Sequence, residues 1–198
     1  MRESVLHERD FAGRFPVGSG VCGIDEAGRG PLAGPVAAAA VILSDDFPVG
    51  ILADSKVLSA AKREAAWIEI TAHAPFWAVA WATHEEIGEF NILGASLLAM
   101  RRAYLALGVV PAFVYVDGNR LPDLGRSAVA VVSGDALIPA IMAASILAKV
   151  ARDAVMRRLD LVSPGYGFAA HKGYPTKAHR EAIARLGPSL WQRPGFRI

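Results

Sequence analysis

Four carboxylates, Asp25, Glu26, Asp117 and Asp135, stand where a chain would place acids for use. Asp25-Glu26 closes the apolar run 21–24, Asp117 closes the run 112–116, and Gly134-Asp135 closes the run 128–133. An Asp directly after a strand-like run is either exposed at a sheet edge or employed. In open α/β sheets, ligands collect at the carboxyl ends of strands. If these strands are neighbours, the acids converge, and their mutual repulsion raises their pKa values. A hard divalent cation, Mg²⁺ or Mn²⁺, resolves the conflict because it prefers carboxylate oxygen and water. Two such ions ~3.5–4 Å apart can clamp an in-line phosphodiester displacement, one activating the attacking water and the other stabilising the leaving 3′-oxygen. Each acid also has an ordinary reading. Asp-Gly after a strand is a common turn, and Asp at a helix start is a common N-cap. Spacing alone leaves both readings open.

The elements that must position these acids follow from apolar periodicity. Residues 1–16 read as a polar lead-in. Strands are expected at 21–24, 35–43, 76–83, 112–116 and 128–133. Ser59 is placed to cap a helix running to about His73, and Thr83-His84-Glu85-Glu86 fits a capping box opening a helix to about Leu107. A long helix is expected over 138–159. The loop Ser163-Pro164-Gly165-Tyr166-Gly167 follows it, and a last helix has Pro175 in its first turn. Early strands followed by strands alternating with helices predict an α/β fold with a mixed sheet flanked by helices.

Bulk properties narrow the partners. The 198 residues suit one domain, with a basic C-terminal segment over roughly 160–198. Hydrophobic residues make up 53% and charged residues 20%, which excludes a disordered chain. No apolar run reaches membrane-span length, and the charged start MRESVLHERDFAG lacks a signal-peptide core. The single cysteine, Cys22, excludes an intramolecular disulfide and places the protein in the cytoplasm. Net charge is +2 overall, but residues 1–144 carry 11 Lys/Arg against 16 Asp/Glu and residues 145–198 carry 10 against 3. An acidic body with a basic C-terminal quarter suits a polyanion-binding protein with an acidic site, and equally a solvated pair of helices.

The blocks that carry the acids, together with others in order along the chain, resemble a known family. They are GIDEAGRGPLAGPVAAAAVIL (23–43), LADSKVLSAAKRE (52–64), NILGASLLAM (91–100), VYVDGN (114–119), SGDALIPAIMAASILAKVARD (133–153) and YGFAAHKGYPTKAHREAI (166–183). The chain resembles ribonuclease HII over most of its length from residue 21 onward. DEAGRGPLAGPV is a specific motif, and its combination with ASILAK and HKGYPT is more so. The resemblance implies an RNase H-like fold with three antiparallel strands joined to parallel ones. It also implies a four-carboxylate active site of Asp25, Glu26, Asp117 and Asp135. Mg²⁺ or Mn²⁺ is implied as cofactor, with two ions when substrate is bound. The implied substrates are RNA–DNA hybrids and duplex DNA carrying single ribonucleotides, cut to 5′-phosphate and 3′-hydroxyl ends. The sister type, ribonuclease HIII, has a long N-terminal extension and a Glu as fourth acid, and neither is expected here.

An enzyme that chooses RNA over DNA must sense the 2′-hydroxyl. The resemblance assigns that contact to Gly28, Arg29 and Gly30, whose glycines allow close backbone approach. It assigns stacking on the neighbouring deoxyribose to Tyr174. Gly28 and Gly30 also suit a tight turn, and Tyr174 also suits a half-buried loop aromatic. Ser55 and Lys56 fit backbone-phosphate contacts. Ser145 and Lys149 share a helix face and fit the same role. His171 and Lys172 add a polar pair on a loop. Lys149 could instead pair with Asp153, four residues on. The tail reads GPSLWQRPGF, with Gln192 where the family has His and Gly195 where it has Ser, while Arg193 and Phe196 match.

Other signals carry less. Gly18 to Gly23 matches GxGxxG but neither follows a strand nor opens a helix, so a dinucleotide site fails its context test. Cys22 is expected in a buried strand. His73 and His84 read as surface or cap residues, and Trp67, Trp77 and Trp81 as core. A metal-independent duplex-binding module, a nucleotide enzyme on a Rossmann-like sheet and a ribonuclease HIII-like activity are the competing classes. A monomer is expected.

Overall fold

In the computed structural model, which describes residues 4–11, 18, 20–52 and 59–197, the strand with the least polar character runs through the middle of the layers. All seven residues of β3 (Val36–Ile42) are buried, as expected for a strand covered on both faces. Its alternation sorts the two faces. Val36, Ala38, Ala40 and Ile42 pack in one core with Ala95, Ala99 and Ala103. Ala39 and Val41 pack in a second core with Ala143, Leu147, Ala66 and Ile70. The alanines keep both helical layers close to the sheet.

The remaining elements build outward from it. β1 (Ser4–Leu6) is followed by a 3₁₀ turn at Glu8–Phe11, and β2 (Val21–Ala27) precedes β3. A second 3₁₀ turn at Val49–Leu52 leads toward α1 (Ala60–His73), β4 (Phe76–Ala82) and α2 (His84–Ala106). Then come β5 (Phe113–Asp117), β6 (Val129–Val131), α3 (Gly134–Leu137), α4 (Pro139–Val162), α5 (Phe168–His171) and α6 (Lys177–Leu186). The six strands lie in the order β1-β6-β5-β2-β3-β4. β2, β3 and β4 are antiparallel neighbours, whereas β5, β6 and β1 join through parallel pairs. The sheet is therefore mixed, as expected. No helix among the described residues is long and apolar enough to cross a membrane.

Local chemistry explains most boundaries. Ser59 accepts from the Lys62 N–H at 3.3 Å and starts α1. Thr83 and Glu86 form the reciprocal capping box, at 3.3 and 2.9 Å. Six expectations need correction. Ser4–Leu6, within the expected lead-in, is a strand that pairs parallel with β6. β2 continues to Ala27, so Asp25 and Glu26 lie inside it, because β3 extends alongside and supplies backbone partners as far as Ala37. Asp135 sits in the first turn of α3 and not at a strand end. The single helix expected over 84–107 is interrupted at Asn91 (φ 56°), whose side-chain oxygen accepts from the Leu93 and Gly94 N–H groups and caps the second half. The last helix begins at Lys177 with Thr176 as its cap, leaving Pro175 outside. Trp77, expected in the core, is 37% exposed.

Candidate active site

The site forms where β2 and β5 run side by side. The two pair in parallel register up to Ile24 against Val116. One further step in that register sets Asp25 beside Asp117. Alternation decides which face they use. Cys22, Ile24, Val114 and Val116 fill the core on the α2 side. Val21 and Tyr115 pack on the opposite face with Ile141 of α4. Asp25 and Asp117 continue that second phase, toward α4. Gly23, two residues before Asp25, lies so close to α4 that an added Cβ would fall 2.2 Å from the Ala140 carbonyl carbon. This close approach seats α4 and its Ser145 against the acids.

The four acids line one cavity of about 390 Å³, together with Gly28, Arg63, Ser145, Lys149 and Tyr174. Asp25 is 5% exposed and Asp135 7%. The Glu26 N–H donates to Asp25 Oδ1 at 2.7 Å, and Ser145 hydrogen-bonds the same carboxylate. The Asp135 N–H donates to Asp117 Oδ1 at 3.1 Å, which ties the start of α3 to the end of β5. Burial pushes the Asp25 carboxyl well above its ordinary range, and the neighbouring charges of Glu26 and Asp117 push it further. Glu26 is also raised, by burial first and by Asp117, with Arg29 opposing. The Arg29 guanidinium lies 3.2 Å from Glu26 Oε1.

The other expected contacts divide. Gly28 has φ +100° and sits against the Arg152 guanidinium. Gly30 faces the Tyr174 ring, to which an added Cβ would lie 3.5 Å away. Tyr174 is 40% exposed. Lys149 bonds Asp153 at 2.8 Å, so the intrahelical pair does form, yet its ammonium lies 5.9 Å from the Tyr174 ring and lines the cavity. His171 and Lys172 are absent from the lining. His171 Nδ1 accepts from the Gly173 N–H at 3.1 Å, which leaves Nε2 to donate to the Tyr166 carbonyl at 2.8 Å. Its ring stacks on His179 with centroids 4.4 Å apart. Lys172 takes a left-handed conformation and bonds the Ala169 carbonyl. Ser55 and Lys56 lie outside the described residues. Two arginines given no role from the sequence, Arg152 and the family-matching Arg193, are buried behind the 28–35 loop. Their partners are backbone carbonyls, which leave no mark in a sequence.

Comparison with known proteins decides the family. The family model described as ribonuclease HII matches residues 22–197. The chain belongs to the ribonuclease HII family. It is 62% identical over 178 residues to a ribonuclease HII of Laribacter hongkongensis (strain HLHK9), covering 89% of this chain and 90% of the relative. Among solved structures, it superposes on the ribonuclease HII of Archaeoglobus fulgidus, determined as a complex with PCNA. That match has a TM-score of 0.76 and 28% identity, and covers 90% of this chain and 95% of that one. A Bst-RNase HIII solved in complex with Mn²⁺ shares the fold, with a TM-score of 0.66 and 19% identity over 86% of this chain and 64% of that one. The mixed sheet with flanking helices is thus the RNase H fold, and the chain is an enzyme of the RNase H type.

Proposed function

We propose that Asp25, Glu26, Asp117 and Asp135 are the catalytic carboxylates of an endonuclease that hydrolyses the RNA strand of RNA–DNA hybrids and nicks duplex DNA on the 5′ side of embedded ribonucleotides. The carrying observation is that one cavity holds all four acids, with the Gly28 turn and Tyr174 on its wall. In the reaction a water oxygen bonds to phosphorus and the bond to the 3′-oxygen breaks. The products are a 5′-phosphate on the ribonucleotide and a 3′-hydroxyl on the residue before it.

The donor set fits divalent Mg²⁺ or Mn²⁺. Carboxylates whose protons are held by burial first and by mutual repulsion second are short of positive charge, and hard oxygen donors select such ions. No group of three Asp, Glu, His or Cys side chains among the described residues is placed to hold an ion unaided. Water and substrate phosphate would supply the remaining ligands, the usual arrangement for Mg²⁺. Bound there, two ions would supply Lewis acidity at the attacking and leaving oxygens.

The chain's own groups orient the rest. The Glu26 N–H and the Ser145 hydroxyl fix the Asp25 carboxylate, and the Asp135 N–H fixes Asp117. Lys149 presents a positive charge at the cavity wall, suited to a backbone phosphate. The 28–30 backbone, open on its Gly30 side to Tyr174, approaches the 2′-hydroxyl, and the Tyr174 ring stacks on the adjoining deoxyribose. The segment 160–198 belongs to the same catalytic domain and flanks the groove through Tyr174.

A labelled DNA duplex carrying one ribonucleotide, incubated with Mg²⁺, Mn²⁺ or EDTA, tests this reading. The expected result is a metal-dependent nick 5′ to the ribonucleotide. Cutting of long hybrids alone would remove single-ribonucleotide incision. No cutting of either substrate by folded protein that binds both would remove the catalytic assignment.

A further inference from the structure

Arg193 is 1% exposed and has no carboxylate among its hydrogen-bond partners. Its guanidinium offers five N–H donors, and the structure uses them all on one loop. Nε donates to the Gly34 carbonyl at 2.8 Å. Nη1 donates to the carbonyls of Arg29 at 3.0 Å and Pro31 at 2.8 Å, and Nη2 to those of Gly28 at 2.6 Å and Pro35 at 3.1 Å. The Phe196 ring lies 5.4 Å from the guanidinium carbon. Burying a cation without a counter-charge is unfavourable unless every donor is satisfied. A fold keeps such a group where its geometry is needed.

The geometry in question is the direction of peptide planes. In a trans peptide, the carbonyl of one residue and the N–H of the next point to opposite sides, and this chain has no cis peptide among its described residues. The Gly28 carbonyl turned onto Arg193 therefore sends the Arg29 N–H the other way. The Arg29 carbonyl does the same for the Gly30 N–H. The next free amide, that of Leu32, is taken by the Gly173 carbonyl at 2.8 Å, which ties the loop to the segment bearing Tyr174.

Arg152 provides a natural contrast. It is equally buried and packs against the Cα of Gly28, but its hydrogen bonds go to the Pro35, Ala33 and Lys172 carbonyls and to the carbonyl of neither Gly28 nor Arg29. We propose that Arg193 is a positioning residue for ribose recognition, its guanidinium turning the Gly28 and Arg29 carbonyls inward so that the Arg29 and Gly30 amides face the sugar. Arg152 carries the loop's stability without setting those two peptides. The inference rests on the reading of the 28–30 loop as the ribose sensor.

The test uses full-length wild type, Arg193→Lys and Arg152→Lys. Affinity is measured in Ca²⁺ for a duplex with one ribonucleotide and for the matching all-DNA duplex, alongside thermal stability. Lysine keeps the charge but has three donors on one atom and cannot span the loop. Arg193→Lys should reduce the preference for the ribonucleotide duplex by about tenfold, as expected when aligned donors are lost. Its affinity for all-DNA duplex should be unchanged. Arg152→Lys should melt earlier and keep the preference. An Arg193→Lys protein that keeps the preference, whatever its stability, overturns the proposal. Should that variant not fold, Phe196→Leu loosens the guanidinium from its far side, and an unchanged preference there overturns it equally. Wild type with no preference would instead remove the sensor reading itself, which keeps the two failures distinct.

Discussion

Replacing Asp25 by Asn should inactivate the enzyme and make it more stable. The Asp25 carboxylate is almost fully buried, and Glu26 and Asp117 add like charge. Burying a charge costs several kcal/mol in a folded protein. Hydrogen bonds from the Glu26 N–H and Ser145 offset part of that, each contributing roughly 1.5–3 kcal/mol to a charged acceptor. Asn keeps the shape and one acceptor oxygen and discards the charge. The net gain should be about 1–3 kcal/mol, or on the order of 5 °C in Tm for a chain of this size. The pH dependence has a fixed sign. A carboxyl whose folded pKa is raised contributes stability below its unfolded value of ~3.9, and that contribution is lost as pH rises through the folded value. The advantage of Asp25→Asn should therefore be largest at neutral pH and vanish in acid. Thermal unfolding in EDTA and in Mg²⁺ checks this. Mg²⁺ should raise the wild-type Tm and act weakly on the variant. An Asp25→Asn protein that melts at or below wild type in EDTA, or one that gains as much from Mg²⁺, would refute the electrostatic account of the site.

Three further outcomes follow from other parts of the structure. Tyr174→Ala should slow incision at a ribonucleotide by roughly tenfold, the low end for lost aromatic stacking, while hybrid affinity changes less, and equal losses in both would count against stacking. Gly23→Ala should cost about 3 kcal/mol in urea unfolding, because the new methyl meets the α4 backbone at 2.2 Å and neither partner can yield; near-wild-type stability would mean that α4 moves freely on β2. The buried His179 donates Nδ1–H to the Tyr174 carbonyl at 3.0 Å, Nε2 has no hydrogen-bond partner, and burial lowers its pKa with help from His171. Its contribution to stability is present above the unfolded value of ~6.5 and lost as pH falls below it, so the Tm drop between about pH 7 and 5 should shrink in His179→Gln.

The acids were legible because each interrupts or follows an apolar run, and convergence needed only neighbouring strands. Their exact seats were not legible. Apolar counting ends β2 at Ile24, whereas pairing with β3 carries the strand through both acids to Ala27. Ser59 and Thr83 announced their helices through side-chain oxygens at the right spacing. Asn91 broke a helix from within a helical pattern: Asn is a good N-cap, but the apolar spacing on either side of it runs on without a break. β1 was hidden because three residues carry no periodicity and their partner begins at Val129. The contacts of Arg193 and Arg152 were hidden for a different reason. A guanidinium that answers to carbonyls has no complementary residue type to be found.

The Arg193 contact also has a consequence for how the enzyme is made. Gly28 and Arg193 are 165 positions apart, so at about 5–20 residues per second the loop waits roughly 10–30 s for its guanidinium during synthesis. Asp25 waits less, since β5 and α3 complete the carboxylate set by Asp135. The ribosome thus delivers the four acids first and the guanidinium that holds the 28–35 loop last. A chain stalled between the two would hold all four acids beside a 28–35 loop whose carbonyls still lack their Arg193 donors.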